Sequence, residues 1–432
     1  MNLKSRNILQ YHLFTTVLIS LILWFAVIPG QMHAQVYPLE YIDEAIKNNP
    51  GLKAQHKAYE AALQEIDIAG GLPDPELSAG IFTPPMERLM GNQLFDARIM
   101  QMFPWFGTLE KQRSAARKMA DANFQQYLNE RNGLFMEMTR LWLNLYEKDQ
   151  QINILLNFIE VLKARENIIY SRYEGGLEKE GLMLDLYRLE IQLNDLENKK
   201  KKLLEEKNAL VKSFNILLNR ERDAQITSPD TLTTIDGGYG RELTDTIAFE
   251  ANPLVSRAQA EALAASYKKE VARLMTRPMI GLGLQYSHFA PGDAAMGQMD
   301  GGGMVMPMLS VSIPIYGKKN RAIRTESALR EEQATHQKEE QINKLFSQAA
   351  DLKAKHKNLE RDIDFYQKQL DITNKTWDLV LNAYAGGYEG FDELLRIQDQ
   401  LLEIQWRLLE TTVEQNINAA EIDKLLGRGI FN

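Results

Sequence analysis

The sequence predicts a mainly α fold with a small β part, in which long coiled-coil helices and a β-hairpin each occur twice. Three observations carry this reading: an internal repeat, a sustained helical period, and four short alternating segments. Met102-Phe-Pro-Trp-Phe-Gly107 and Ser312-Ile-Pro-Ile-Tyr-Gly317 each close an alternating apolar segment and open a helical pattern more than sixty residues long. Upstream, Ala45-Ile-Lys-Asn-Asn-Pro50 and Ala248-Phe-Glu-Ala-Asn-Pro253 each begin a shorter helix; downstream, Tyr173-Glu-Gly-Gly176 and Tyr384-Ala-Gly-Gly387 each precede a returning one. The matches recur at about 203, 210 and 211 residues, the signature of a tandem duplication.

The elements follow in order. From Pro38 to about Ala69 apolar residues lie on one helical face, interrupted by Asn49-Pro50, which predicts a kink or break. Gly70-Gly-Leu-Pro-Asp-Pro75 stops the helix. Glu76 to Thr83 and Leu94 to Phe103 alternate, with Leu77, Ala79 and Ile81, then Phe95, Ala97 and Ile99, on one side; Pro84-Pro85 and Gly91-Asn92 supply turn residues between them, predicting a hairpin over 76–103. A second helix is expected from about Glu242 to Met275, ended by Arg277-Pro278, and a second hairpin over 279–313. There Ile280, Leu282, Leu284 and Tyr286 oppose Gly281, Gly283, Gln285 and Ser287, while Leu309, Val311 and Ile313 oppose Met308, Ser310 and Ser312. Segments of about ten residues with one apolar and one small or polar face match the pattern of outer-membrane barrels.

In the long helices apolar residues recur in alternating steps of four and three. Phe124, Leu128, Phe135, Met138, Trp142, Leu145, Ile152, Leu156 and Ile159 fit one grid, with Arg131 and Asp149 off type. Leu345, Ala349, Leu352, Leu359, Ile363, Tyr366, Leu370, Trp377, Val380 and Tyr384 fit the other, with His356 and Thr373 off type. The returning helices continue the stripe through Leu186 to Leu217, broken by Lys200 and Lys207, and through Leu394 to Leu408. This period means coiled-coil packing. Each long helix spans about 65 residues, roughly 95 Å at 1.5 Å per residue. The two shorter helices of a unit add to nearly that length, so they are expected to stack end to end beside it, with strands at one end of a rod and Gly-Gly turns at the other.

Composition narrows the function. Lys4 and Arg6 precede an apolar run from Ile8 to Pro29 that ends near Met32-His-Ala34, so residues 1–34 are expected to be a secretory signal peptide, an uncleaved anchor being the alternative. The formal charge of -8, more negative still without the leader, argues against nucleic-acid partners. The absence of Cys suits an oxidising export compartment and leaves no N-terminal thiol for a lipid. Beyond the leader no run reaches eighteen apolar residues, so any membrane passage must use strands. Residues 35–218 form the first repeat, 219–241 an irregular linker or equatorial segment rich in Asp, Thr, Gly and Ser, and 242–432 the second repeat.

Four strands cannot close a barrel, and an open sheet leaves edge groups unsatisfied in lipid, so several chains must share strands. The layout resembles the TolC family of outer-membrane efflux proteins over essentially the whole mature chain. The strand exits at Pro104 to Gly107 and Pro314 to Gly317 and the tips Arg172-Tyr-Glu-Gly-Gly176 and Ala383-Tyr-Ala-Gly-Gly387 carry the likeness. It implies a homotrimer, with a twelve-stranded barrel in the outer membrane continued by an α-helical tunnel in the periplasm. It also implies no enzymatic chemistry and no cofactor, and as partners a periplasmic adaptor (membrane fusion) protein, an inner-membrane pump of the resistance-nodulation-division type, and outer-membrane lipid. The resemblance further implies a tip that gates the duct and docks the adaptor, drawing on Tyr173, Gly175, Gly176, Asp185, Arg188, Tyr384, Gly386, Gly387, Glu393 and Arg396. By motif position Asp185 matches the family's gate Asp and Tyr384 its gate Tyr. The family's gate Arg has no counterpart in Gly387-Tyr-Glu-Gly-Phe391, leaving Arg188 or Arg396 as substitutes; Asp185 and Glu393 read equally well as acids favourable to a helix N-terminus.

For cargo, Met275, Met279, Met296, Met299, Met304, Met306 and Met308 cluster in the second hairpin region, and Met86, Met90, Met100 and Met102 in the first. Thioethers suit soft ions such as Cu(I) and Ag(I), although flexible Met also fills irregular surfaces. Transient contacts through Met296, Met299, Met304 and Met306, and a likeness to heavy-metal efflux ducts from Leu72-Pro-Asp-Pro75 through Phe106-Gly107, point to copper or silver. Drug or protein exit by the same kind of duct is the alternative. A periplasmic adaptor or scaffold would also show long helices, but with one helical hairpin rather than two copies. No H-E-x-x-H, G-x-S-x-G or P-loop motif supports an enzyme. His356, alone in an apolar stripe, reads as a packed or hydrogen-bonded side chain.

Overall fold

Asn49-Pro50 divides the first helical stretch in two, because proline supplies no N–H and fits the first turn of a new helix. The computed structural model, which describes residues 37–174, 179–228, 231–232, 249–292, 301–386 and 388–427, shows α1 at Leu39–Asn48 and α2 at Pro50–Gly70. There follow β1 (Glu76–Arg88), β2 (Gly91–Phe103), the 67-residue α3 (Thr108–Glu174) and α4 (Lys179–Leu217). The second repeat gives α5 (Pro253–Leu274), β3 (Met279–Ala290), β4 (Gly302–Ser312), the 69-residue α6 (Gly317–Ala385) and α7 (Phe391–Leu425). At 1.5 Å per residue each long helix reaches about 100 Å. The leader, Gly175, Gly176, Gly387, Met296 and Met299 lie outside the described residues, as do positions 242–248 of the second expected helix.

End-to-end stacking of the shorter helices is achieved by one residue in each repeat. Asn49 caps α2, its side-chain oxygen accepting from the Leu52 N–H at 3.0 Å, while its amide donates to the carbonyl of Leu217, the last residue of α4, at 3.0 Å. Asn252 caps α5 in the same way, accepting from Leu254 N–H and donating to the carbonyl of Leu425 at the end of α7, both at 2.8 Å. One side chain thus satisfies an orphan donor of one helix and an orphan acceptor of the other, joining two short helices into a continuous column.

The columns stand side by side. α3 packs against α2 and α4 on one flank and against α5 and α7 on the other, and α6 packs against α5 and α7. Apolar residues from both repeats fill the seams. Tyr41, Met138, Trp142, Phe214 and Ile417 meet near mid-length, and Leu155, Ile159, Leu162, Leu189, Leu193, Phe391 and Leu394 meet toward the tip. Residues 219–228 run irregularly across the rod, pinned where the Trp142 indole donates to Thr227 O and the Asn215 amide donates to Arg222 O and Ala224 O.

Two off-type residues explain each other: Asp149 of α3 pairs with Lys207 of α4, so the interruptions of the two stripes face one another. His356 is buried with its ring nitrogen on Asn418 Oδ1 at 3.1 Å, as expected of a packed histidine. The single-stripe grid is too narrow, however. Leu156 is exposed and Leu155 buried, because α3 is clasped from both flanks and its apolar surface is wider than one seam.

The four strands form one antiparallel sheet in the order β1-β2-β3-β4, both hairpins joining through the β2–β3 pair. The first turn differs from expectation. β1 continues through Pro84-Pro85, and the chain reverses at Leu89-Met90 with Gly91 at φ 111°. Proline is tolerated because β1 is the sheet's outer strand and residues between Ile81 and Met86 fall in a break of register, where no ladder donor is needed.

Candidate functional site

The two ends of the rod carry the chemistry. Opposed Cα partners share a face, so the register sorts the sheet directly. Leu77, Ile99, Leu284 and Pro307 form one row, Ala79, Ala97, Tyr286 and Val305 the next, with Leu282 and Leu309 paired on the same side. Leu77, Leu282 and Leu309 are each more than half exposed, so no described residue covers them. The opposite face is small, polar or sulfur-bearing: Glu76, Met100, Gly283 and Met308 in one row, Ser78, Arg98, Gln285 and Met306 in the next, Gly80, Asp96, Ser287 and Met304 beyond. Met304 and Met306 therefore stand on this second face. Among the described residues no group of three or more His, Cys, Asp and Glu side chains is arranged to hold a metal ion.

At the junctions Pro104 ends the first hairpin and Gly107, at φ 82°, turns the chain into α3. Pro314 precedes Gly317, the first residue of α6, and its carbonyl accepts from the Asn320 amide at 2.9 Å. Phe106, Ile315 and Tyr316 are exposed beside these turns, forming an apolar and aromatic border to the sheet.

At the tip, side chains near the starts of α4 and α7 meet. Arg188 of α4 reaches across the repeats to Asp392 of α7 and also lies 3.7 Å from Asp185 on its own helix. Burial raises the Asp185 carboxyl above the usual aspartate range; Arg188 opposes the rise and Asp392 adds to it. About one turn further along α4 and two along α7, Gln192 donates to Asp399, whose carboxyl is likewise raised by burial. Arg396 does not bridge: it pairs with Glu393 one turn earlier on α7 and lowers that carboxyl. Tyr384, in the last turn of α6, packs against Phe391 with the rings tilted and their centroids 5.8 Å apart, and Gly386 caps α6 through Asn382 O. Tyr173 falls in the last turn of α3, its side chain outside the described set. Two groups were not singled out from sequence: Asp392, indistinguishable there from Glu393 as an N-terminal acid, and Arg165, whose guanidinium lies 4.6 Å over the Trp377 ring and joins α3 to α6.

No protein-family model matches the chain. Among solved structures, a crystal structure of CusC described in terms of transmembrane channel formation superposes with a TM-score of 0.77, covering 94% of this chain and 96% of that one at 17% identity. This chain has the fold of the TolC-type outer-membrane channels. The outer-membrane protein VceC of Vibrio cholerae shares the channel fold at a TM-score of 0.74, with 16% identity over 90% of this chain and 96% of its own. By sequence, a probable outer membrane lipoprotein of Salmonella typhimurium, SilC, is 25% identical over 130 residues, 30% of this chain and 28% of that protein's length.

Proposed function

We propose that three copies of this chain form the outer-membrane channel of a tripartite efflux system, a passive exit duct for substrates delivered by an inner-membrane pump and a periplasmic adaptor. The observation that carries the reading is the four-stranded sheet whose outer strands, among the described residues, pair on one side only, and whose apolar face is largely exposed. Lipid tolerates neither open edges nor irregular backbone, so twelve strands from three copies closed into a barrel satisfy both. The border of Phe106, Ile315 and Tyr316 fits the membrane interface, where amphipathic rings sit at headgroup level. Exposed Leu329, Phe365, Ile372 and Leu379 on α6 and Tyr187, Ile191 and Leu204 on α4, the two outer columns, fit apolar faces that meet between copies.

Asp185, Arg188, Tyr384 and the surrounding tip are read as the gate and adaptor-docking end, with the Arg188–Asp392 bridge in place of a gate arginine on α7. The pump is of the resistance-nodulation-division type, and the cargo is soft heavy-metal ions, copper or silver, supported by the methionines of the hairpins.

Fractionation and planar-bilayer recording test the duct. The expected result is a heat-sensitive trimer in the outer membrane that conducts when reconstituted; a soluble periplasmic monomer would refute it. Deleting the gene should sensitise cells to copper or silver, whereas unchanged metal tolerance with heightened drug sensitivity would move the cargo to drugs.

A further inference from the structure

We infer that the inner face of the barrel carries a lane of thioethers that binds monovalent soft metal cations in transit, an inference that rests on the duct reading. Seven methionines lie in the paired region, and the six between Met279↔Ser312 and Ser287↔Met304, namely Met100, Met102, Met279, Met304, Met306 and Met308, fall on the face opposite the apolar one; the seventh, Met86, lies beyond the register breaks of β1 and β2. Methionine used as apolar filler belongs with Leu, Ile and Val on the lipid side, where burial rewards it. Over the regular rows that side carries Leu77, Ile99, Leu282, Leu284, Val305 and Leu309, and no methionine.

The arrangement is also continuous. Met279 opposes Ser312, Met102 lies in the row of Gly281 and Ser310, Met100 and Met308 flank Gly283, and Met306 and Met304 occupy the next two rows. Each of five successive levels thus holds a thioether, at steps of about 7 Å along the strands. The glycines make room for it: the sulfur of Met102 lies 2.6 Å, and that of Met100 3.0 Å, from where a Cβ on Gly281 or Gly283 would stand. With no side chain on β3 at those levels, the Met100 and Met102 thioethers lie over Gly283 and Gly281, between β2 and the row of Met308 on β4.

Soft thioethers select Cu(I) and Ag(I) over the hard cations of the medium. Glu76 and Asp96 share the rows and favour a cation; Arg98 opposes them and is drawn toward Ser78, its Nε 3.3 Å from the hydroxyl. Repeated weak sites, rather than one tight one, are what passage requires.

The test uses the purified full-length trimer, with silver nitrate in chloride-free buffer as the probe. Equilibrium dialysis with metal quantitation compares the wild type with a Met100→Leu, Met102→Leu, Met306→Leu, Met308→Leu variant, which keeps side-chain size and apolarity. At least tenfold weaker silver retention by the variant supports the lane; equal retention, or none in the wild type, overturns it. X-ray absorption of the silver-loaded wild type stands independently of how the variant folds. The chain has no Cys, so sulfur neighbours must be thioethers; oxygen and nitrogen neighbours alone would overturn the lane. Conductance, recorded separately, reports on the duct. A wild type that conducts but retains no silver sinks only the lane, and one that retains silver without conducting sinks only the duct.

Discussion

Asn49 and Asn252 show how much a single residue type can specify. Each caps one helix and ties down the end of another, so neither half of the bond pair is available to a smaller side chain. Asn252→Ala should lower stability by about 1 to 2 kcal/mol from the lost cap, with a further loss from the carbonyl of Leu425 left without its donor. Asn252→Ser keeps a cap oxygen but is too short to reach the Leu425 carbonyl, so it should fall between. Thermal unfolding followed by circular dichroism in detergent checks the order; an alanine variant as stable as the wild type would contradict it. The same scale decides the sheet's two sides. On adjacent positions of β3, Leu284→Arg places a charge on the apolar face at a cost of about 2 to 4 kcal/mol if that face meets the bilayer midplane, while Gln285→Arg points into water. Folding into lipid vesicles should fail selectively for the first.

At the scale of elements, α4 and α7 are bridged at the tip by side chains. Arg188→Ala or Asp392→Ala should raise the conductance of the reconstituted channel, whereas Arg396→Ala, which breaks only a pair within α7, should leave it near the wild-type value. Acidity acts through the buried carboxyls. A raised pKa means that the folded tip binds the proton more tightly than the unfolded chain does, so the stability contributed by Asp185 and Asp399 is present at low pH and lost as pH rises through their elevated values. Glu393 acts with the opposite sign, its lowered pKa supporting the folded tip until acid reaches it, but it is an exposed pair and contributes little. Conductance should therefore fall on acidification from neutral pH, and Asp185→Asn should flatten the response by holding the tip in its low-pH state; an unchanged pH profile in that variant would exclude Asp185 as the sensor. These elements differ in how far the chain announces them. Repeated Asn-Pro, Pro-x-x-Gly and Gly-Gly punctuation and the 3.5-residue stripe expose the helices, because backbone-breaking residues and long periodicity are local signals. The Arg188–Asp392 bridge and the Arg165–Trp377 stack depend on which helices become neighbours, and one charged residue on a polar face looks much like another until they do. Pro84-Pro85 misled for the same reason: a proline pair signals a turn unless the strand has a free outer edge to hide it.

At the scale of the whole molecule, the duplication produces a slab rather than a closed body. β1 and β4 end the sheet, the α2 and α4 column ends the helical layer on one side, and α6 ends it on the other. The central claim is that these two margins meet in copies of the same chain. Because the sequence contains no Cys, introduced pairs report without background. Ala79→Cys on β1 should be combined in turn with Val305→Cys, Leu309→Cys and Val311→Cys on β4, and the protein oxidised in its native membrane. For at least one pair, the expected result is a ladder that stops at three linked chains. Unlinked monomers throughout, or a ladder that runs on past three, would contradict it.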